Sequence, residues 1–392
     1  MKVDLEVQYL CTPEPRGISN YIINLSKSLV QRNRNNYSLS FFDYNKERGN
    51  IDFIESYLDD ETLNKITIHE CNHFSYETIM QSNIVGNRKG CGEVSYRYLM
   101  KSNSDVVHFT QSLYLPYNIA EKAVVTVHDV IPLLHNAQEF CKERTIQAFV
   151  NNVRFLEERK DIEIIADSQF TKMDLMKYSN ISSERIHVVP LGFDRNSSYP
   201  NKNKMLLEGM GIEGRYVLYL GALDNRKGVV DIFQAFKRIR EKGYKVKLVL
   251  AGGKDPNVFK VIEELKFHQF VGDIILPGFV TDDQKRVLLS CAEAFLFPSE
   301  YEGFGLPVLE AMACGAPVIT TNVSSLPEVG GDAAMYVSPK NPEELAMAIE
   351  KMLSSESLRQ EYIAKGFEQC KKFSWDKTAE MTEEVYKMVY NR

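Results

Sequence analysis

Glu302-Gly-Phe-Gly-Leu-Pro-Val-Leu-Glu310 runs directly into Ala311-Met-Ala-Cys-Gly-Ala-Pro-Val-Ile319. Two carboxylates eight positions apart bracket a Gly-x-Gly-x-Pro turn that opens a short helix. Gly303 and Gly305 can take positive φ and let a ligand approach the main chain closely. Pro307 suits the first helical turn, where its missing N–H costs nothing. The backbone of Gly303, Phe304, Gly305 and Leu306 and the positive helix end then face an anionic ligand such as a diphosphate. Glu310, inside the helix, is placed to meet a neutral hydroxyl-bearing part of the same ligand, with ribose the natural candidate.

With its flanking Gly-Phe-Gly-Leu-Pro and Cys-Gly-Ala-Pro-Val-Ile pattern, the segment resembles the Glu-x7-Glu signature of the retaining glycosyltransferase family 4. That resemblance implies the α/β GT-B fold, in which two doubly wound Rossmann-like domains face a central cleft. It covers residues 216–375 closely and the first 120 residues loosely.

The remaining sequence is compatible with that expectation. At 392 residues, two domains are the natural prior. A hydrophobic fraction of 44% with 26% charged residues is that of a globular protein. A net charge of −6 argues against nucleic acid as the main partner, since phosphate-tracking surfaces carry a basic excess. The cysteines (Cys11, Cys71, Cys91, Cys141, Cys291, Cys314 and Cys370) are odd in number, scattered and without a Cys-x-x-Cys pair. They read as reduced thiols, and the expected location is cytoplasmic. Neither a leader nor an apolar run near a membrane-spanning length is visible, so any membrane contact would be peripheral.

Short apolar runs alternate with helical stretches. Candidate strands fall at 3–9, 37–42, 65–69, 106–109, 124–127, 163–166 and 187–190, then at 216–220, 247–251, 274–276, 294–297, 317–321 and 335–337. Such alternation implies parallel sheets with crossover helices. A polar, turn-rich stretch at 194–204 separates the halves. The expected domains are residues 1–197 and 205–376. The resemblance implies that the first binds acceptor and the second donor, with a helix at 377–392 crossing back to the first. In such sheets ligands bind beyond the carboxyl ends of the strands. Gly209-Met-Gly-Ile-Glu-Gly214 matches a dinucleotide fingerprint but precedes a strand instead of following one. It reads as a helix-to-strand turn, which disfavours a nicotinamide enzyme.

Strand ends carry the chemistry. After 216–220 comes Gly221-Ala-Leu-Asp-Asn-Arg226-Lys227-Gly228. Gly221 turns the chain; Arg226 and Lys227 enter a helix where positive charge opposes the dipole. They are either solvated surface cations or partners of an anion, and the resemblance makes them the stabilisers of a departing nucleoside diphosphate. Glu302 is expected to hold sugar hydroxyls and Glu310 the nucleotide. Val125-Thr-Val-His128-Asp129-Val-Ile-Pro132 resembles bacterial mannosyltransferases of the family. There the imidazole of His128 is implied to contact the donor sugar, with Asp129 steering the ring or the acceptor. The bland alternative is a satisfied structural histidine. Thr12-Pro-Glu-Pro-Arg16-Gly17-Ile-Ser19 occupies the place of the family's glycine-rich loop, with close backbone approach expected at Gly17. The backbone at Leu276-Pro-Gly278-Phe279-Val280 is suited to a nucleobase edge, and Val280 is the candidate contact.

No Asp-x-Asp and no zinc spacing occur, so no metal or other cofactor is expected. The resemblance implies transfer of a hexose from a nucleotide-diphosphate sugar, GDP-mannose first and UDP- or dTDP-sugars next. The acceptor would be a glycan or lipid-linked saccharide of cell-surface polysaccharide. Retention through a front-face route is preferred, because only one strong carboxylate candidate lies near the sugar. A nucleotide-sugar epimerase and a non-catalytic sugar-nucleotide-binding protein are the alternatives. Arg88, Lys89, Arg97 and Lys101 read as a solvated surface, with anionic lipid as the other reading.

Overall fold

The computed structural model describes all residues except 13–16, 43–49, 72–75, 88–95, 97–101, 114, 120–121, 196 and 254–267. Arg16, Arg88, Lys89, Arg97 and Lys101, singled out above, lie outside the described residues. The chain divides into two units: Met1–Gly192 with Ser374–Arg392, and Phe193–Phe373.

Among the described residues, the first unit holds seven parallel strands: β1 (Lys2–Glu6), β2 (Asn36–Phe42), β3 (Thr67–Cys71), β4 (Val106–Phe109), β5 (Lys122–Val127), β6 (Glu163–Ala166) and β7 (Ile186–Val188). Their order is β3-β2-β1-β4-β5-β6-β7, so the winding reverses between β1 and β4. Strands β4 and β6 are buried at every residue and mostly apolar, with His108 and Glu163 the polar exceptions, as parallel strands covered by helices tend to be. The expected first strand, 3–9, stops at Glu6 and gives way to a 3-10 turn at Gln8–Leu10. Glu6 accepts the Gln8 N–H at 2.9 Å, which turns the chain off the sheet.

Helix Trp375–Asn391 belongs to this unit and packs on helix Gly17–Arg32. Arg32 joins them, reaching Asp376 Oδ1 at 2.6 Å, Glu380 Oε1 at 3.2 Å and the buried Glu383 Oε2 at 3.0 Å. Tyr37 donates to the other Glu383 oxygen at 2.9 Å. Gly192 allows the close crossing here: a Cβ on it would fall 2.2 Å from the Trp375 nitrogen.

The second unit holds β8 (Tyr216–Leu220), β9 (Lys247–Ala251), β10 (Ile274–Gly278), β11 (Ala294–Phe297), β12 (Val318–Thr321) and β13 (Ala334–Val337). All pairs are parallel, in the order β10-β9-β8-β11-β12-β13, and the winding reverses between β8 and β11. Helix Val229–Glu241 buries Val229, Ile232, Phe233, Phe236 and Ile239, the i, i+3, i+4 stripe of a core-facing helix. Burial of each such side chain contributes about 1.5–3 kcal/mol. The Gly209–Gly214 stretch lies between helix Lys204–Gly209 and β8, in the helix-to-strand order expected. Among the described residues, no helix is long and apolar enough to cross a membrane.

Candidate active site

In the second unit, the loops after β8 and β11 leave the carboxyl ends of the two strands between which the winding reverses. Ligands of doubly wound sheets bind in that crevice. Asp224 starts the β8 loop by accepting the Lys227 N–H at 3.1 Å, closing a 3-10 turn at Asn225–Lys227. Gly228, at φ 70°, then launches helix Val229–Glu241. The turn delivers Arg226 and Lys227 side by side, and the Glu300 N–H bonds the Arg226 carbonyl at 2.8 Å to tie the two loops together.

Glu302 is the hub. Its Oε1 takes the Lys227 ammonium, the Ser299 hydroxyl at 2.6 Å and Arg226 Nη1 at 3.4 Å. Arg226 also donates to the Tyr301 carbonyl, and Lys227 lies 5.2 Å from the centre of the Phe297 ring. Two cations and one carboxylate leave a single excess positive charge. All three side chains retain some exposure: 18% for Arg226, 15% for Lys227 and 12% for Glu302. That cluster can receive an anion without moving far.

The Glu302 loop is braced from behind. The Glu302 N–H meets Ser324 Oγ at 3.1 Å, and Ser325 Oγ bonds the carbonyls of Glu302 at 2.9 Å and Phe304 at 2.7 Å. Ser324 itself sits at φ 56°, a conformation that costs energy in a non-glycine residue and concentrates at functional sites. Ser299, Ser324 and Ser325 are site residues that no pattern above assigned. Their only trace in the sequence is a hydroxyl shortly after an expected strand, 294–297 for Ser299 and 317–321 for Ser324 and Ser325.

The turn after Glu302 departs in part from expectation. Gly305 takes φ 111° and caps helix Leu306–Ala313, whereas Gly303 does not adopt positive φ. Phe304 is buried and packs edge-on against Phe373 at 5.8 Å, so it offers only its backbone to a ligand. Leu306 is half-buried at the first helical position, with Pro307 next. Glu310 lies one turn inward and is paired at 3.2 Å with Lys285, a residue of helix Asp282–Cys291. Val280 precedes the Thr281–Gln284 capping box of that helix, and Phe279 beside it is 73% exposed. Gly221 ends β8 with its N–H on the Ala251 carbonyl at 3.0 Å.

The first unit has its own strand-end cluster. His128, after β5, faces Asp167 Oδ2 at 2.7 Å through Nδ1 and the Thr110 carbonyl at 2.9 Å through Nε2. Asp167, not Asp129, therefore orients the imidazole; Asp129 Oδ1 instead accepts the Ile131 N–H at 3.0 Å. Burial pulls the His128 pKa down, but the Asp167 carboxylate outweighs it and the net direction is up. Burial pushes Asp167 up as well, so in either assignment the proton between Nδ1 and Oδ2 stays in the pair. Both ring nitrogens are engaged within the unit. Tyr21 stands edge-on to the ring at 4.9 Å. At the winding reversal, Thr110 Oγ1 donates to the Glu6 carbonyl at 2.6 Å. Glu6 Oε2 is buried with no hydrogen-bond partner, and burial pushes its pKa up to about 7. Gly17 opens helix Gly17–Arg32 facing open space, while Ser19 is committed internally to the Tyr9 carbonyl at 2.7 Å.

Among the described residues, no group of three His, Cys, Asp or Glu side chains is arranged to hold a metal ion.

Comparison with known proteins bears on family and fold. Residues 210–369 match the profile of the family described as glycosyl transferases group 1. O-antigen chain mannosyltransferase B of Escherichia coli is 29% identical over 303 residues, 74% of this chain and 77% of that protein. Serotype-specific mannosyltransferase WbdA of Escherichia coli is 30% identical over 277 residues, 69% of this chain but only 34% of its own length. Sucrose-phosphate synthase from Thermosynechococcus elongatus superposes with a TM-score of 0.75 at 18% identity, covering 100% of this chain and 99% of that one. The fold is GT-B, and residues 210–369 form a domain of the glycosyl transferases group 1 family, with bacterial mannosyltransferases among the relatives of the chain.

Proposed function

We propose that this glycosyltransferase moves a hexose, mannose by preference, from a nucleotide-diphosphate sugar to a glycan or lipid-linked saccharide in cell-surface polysaccharide synthesis. The observation that carries this reading is the convergence of Arg226 and Lys227 on Glu302 at the reversal point of the second sheet. The mannosyltransferase relatives support the sugar. GDP-mannose is the first donor to test, ahead of UDP- and dTDP-sugars.

In this reading the diphosphate lies over the Arg226–Lys227 turn and the N-terminal end of helix Leu306–Ala313, against fixed N–H groups. As the glycosidic bond breaks, charge builds on the departing phosphate, and the two cations offset it without reorganising. Lys227 exchanges part of its pairing with Glu302 for the phosphate. Glu302 is then released to accept hydrogen bonds from sugar hydroxyls. Its tie to Ser299 keeps it from swinging away. With Glu302 the one carboxylate assigned to the sugar, a double displacement lacks its second partner. Retention by a front-face route follows, the leaving phosphate accepting the proton of the incoming hydroxyl. Charge neutralisation by side chains makes a divalent ion unnecessary. His128 stays in the reading as a sugar contact, which requires that Nε2 exchange the Thr110 carbonyl for a hydroxyl.

Thermal shift against GDP, UDP and dTDP, with and without chelator, tests the nucleotide, because a ligand that binds the folded state raises apparent stability. Transfer from GDP-mannose, with the product anomer read by NMR, tests the chemistry. An inverted product, or activity abolished by chelator, would falsify the mechanism.

A further inference from the structure

Lys285 is the fourth residue of helix Asp282–Cys291, where a positive charge opposes the helix dipole. The side chain is nonetheless held there, 19% exposed, with Nζ 3.2 Å from Glu310 Oε1 and 3.8 Å from Asp282 Oδ1. Glu310 is comparably enclosed at 24% exposure and comes from a different helix, Leu306–Ala313. The contact therefore links the loop after β10, with Val280 and the exposed Phe279, to the helix after β11. Burial pulls the Lys285 pKa down, but Glu310 and Asp282 outweigh it and the ammonium is held charged. Among the described residues, no hydrogen bond engages Glu310 Oε2. A carboxylate fixed through one oxygen and open through the other is a directional acceptor for a hydroxyl.

We propose that Lys285 is a positioning residue that fixes Glu310, through Oε1, as the acceptor for the ribose hydroxyls of the donor nucleotide, and so makes the site select ribonucleotides over deoxyribonucleotides. The proposal rests on the nucleotide-sugar reading given above. Without its ammonium partner, Glu310 has rotamers open to solvent and loses the direction that a ribose diol needs. A hydrogen bond to a charged group is the strong kind, so the selectivity at stake is roughly ten- to a hundredfold in affinity.

The test is calorimetric binding of GDP and 2′-deoxy-GDP to the full chain, as wild type, Lys285→Met, Lys285→Arg and Glu310→Gln. Wild type should prefer GDP at least about tenfold, and Lys285→Met should bring the two ligands to near-equal affinity by weakening GDP alone. Lys285→Arg should restore most of the preference, which a merely structural role for Lys285 would not require. A wild-type preference that survives Lys285→Met overturns the positioning role and leaves the ribose reading of Glu310 standing. Absence of any preference in wild type overturns both. Should Lys285→Met fail to fold, a Lys285→Arg variant that folds but has lost the preference overturns the proposal by itself.

Discussion

Lys227 holds its ammonium against Glu302 Oε1, the same oxygen that receives the Ser299 hydroxyl at 2.6 Å. In the proposed function, the cation assigned to the departing phosphate is thus already anchored by the carboxylate assigned to the sugar. Lys227→Ala and Arg226→Ala should each remove about 2–4 kcal/mol of transition-state stabilisation, the scale of one preorganised donor. Steady-state kcat with GDP-mannose measures it. Because the pair shares a contact, Lys227→Ala combined with Glu302→Gln should cost less than the sum of the single losses. Strict additivity would separate the two residues.

The loop that presents Lys227 depends on Gly228. With φ at 70° and a virtual Cβ only 2.3 Å from the Pro298 carbonyl oxygen, no side chain fits. Gly228→Ala should cost at least about 1–3 kcal/mol in stability by urea denaturation. It should also depress kcat more than the stability loss explains, since the clash displaces the β8 loop from the β11 loop.

Arg32 is 9% exposed and serves the fully buried carboxylate of Glu383. Arg32→Met leaves that charge with the neutral donors Tyr37 and Asn35, and unfolding free energy should fall by about 3–5 kcal/mol. Adding Glu383→Gln should recover part of the loss by removing the stranded charge. No recovery would show that packing, not charge, dominates the contact.

Glu6 sets a pH signature in the first unit. Burial raises its folded pKa from 4.5 to about 7, so the folded state holds this proton more tightly than the unfolded chain does. The contribution to stability is fully present below pH 4.5 and is lost as pH rises towards about 7. Glu6→Gln should flatten stability against pH across that interval, by about 3 kcal/mol at most. An unchanged slope would mean that the carboxyl ionises freely in the fold.

Fold class and several strands were legible because parallel strands buried on both faces read as nearly continuous apolar runs. The expected spans at 106–109, 163–166, 216–220 and 294–297 coincide with β4, β6, β8 and β11. The edge strand β3 lies slightly later than expected, where the run is more polar, and β1 ends early because Glu6 and Gln8 build a turn. Arg226, Lys227 and Glu302 were found as local patterns, and the fold brings them together. Partners distant in sequence left no such pattern. Ser324 is 22 positions from Glu302, Lys285 is 25 from Glu310, and Asp167 is 39 from His128. The Ser324 and Asp167 pairings exist because neighbouring strands end at the same edge of a sheet, and the Lys285 pairing because two helices of the second unit meet.

Helix Trp375–Asn391 completes a unit whose other residues end at Gly192. On the ribosome, that unit must therefore wait for its last piece until every residue of 193–373 has emerged. The later-made unit is continuous in sequence and can fold first, reversing the usual N-to-C order. Until then, the face of helix Gly17–Arg32 that bears Arg32 has no cover. A stop codon shortly before Ser374 would damage the earliest part of the chain more than the part just synthesised.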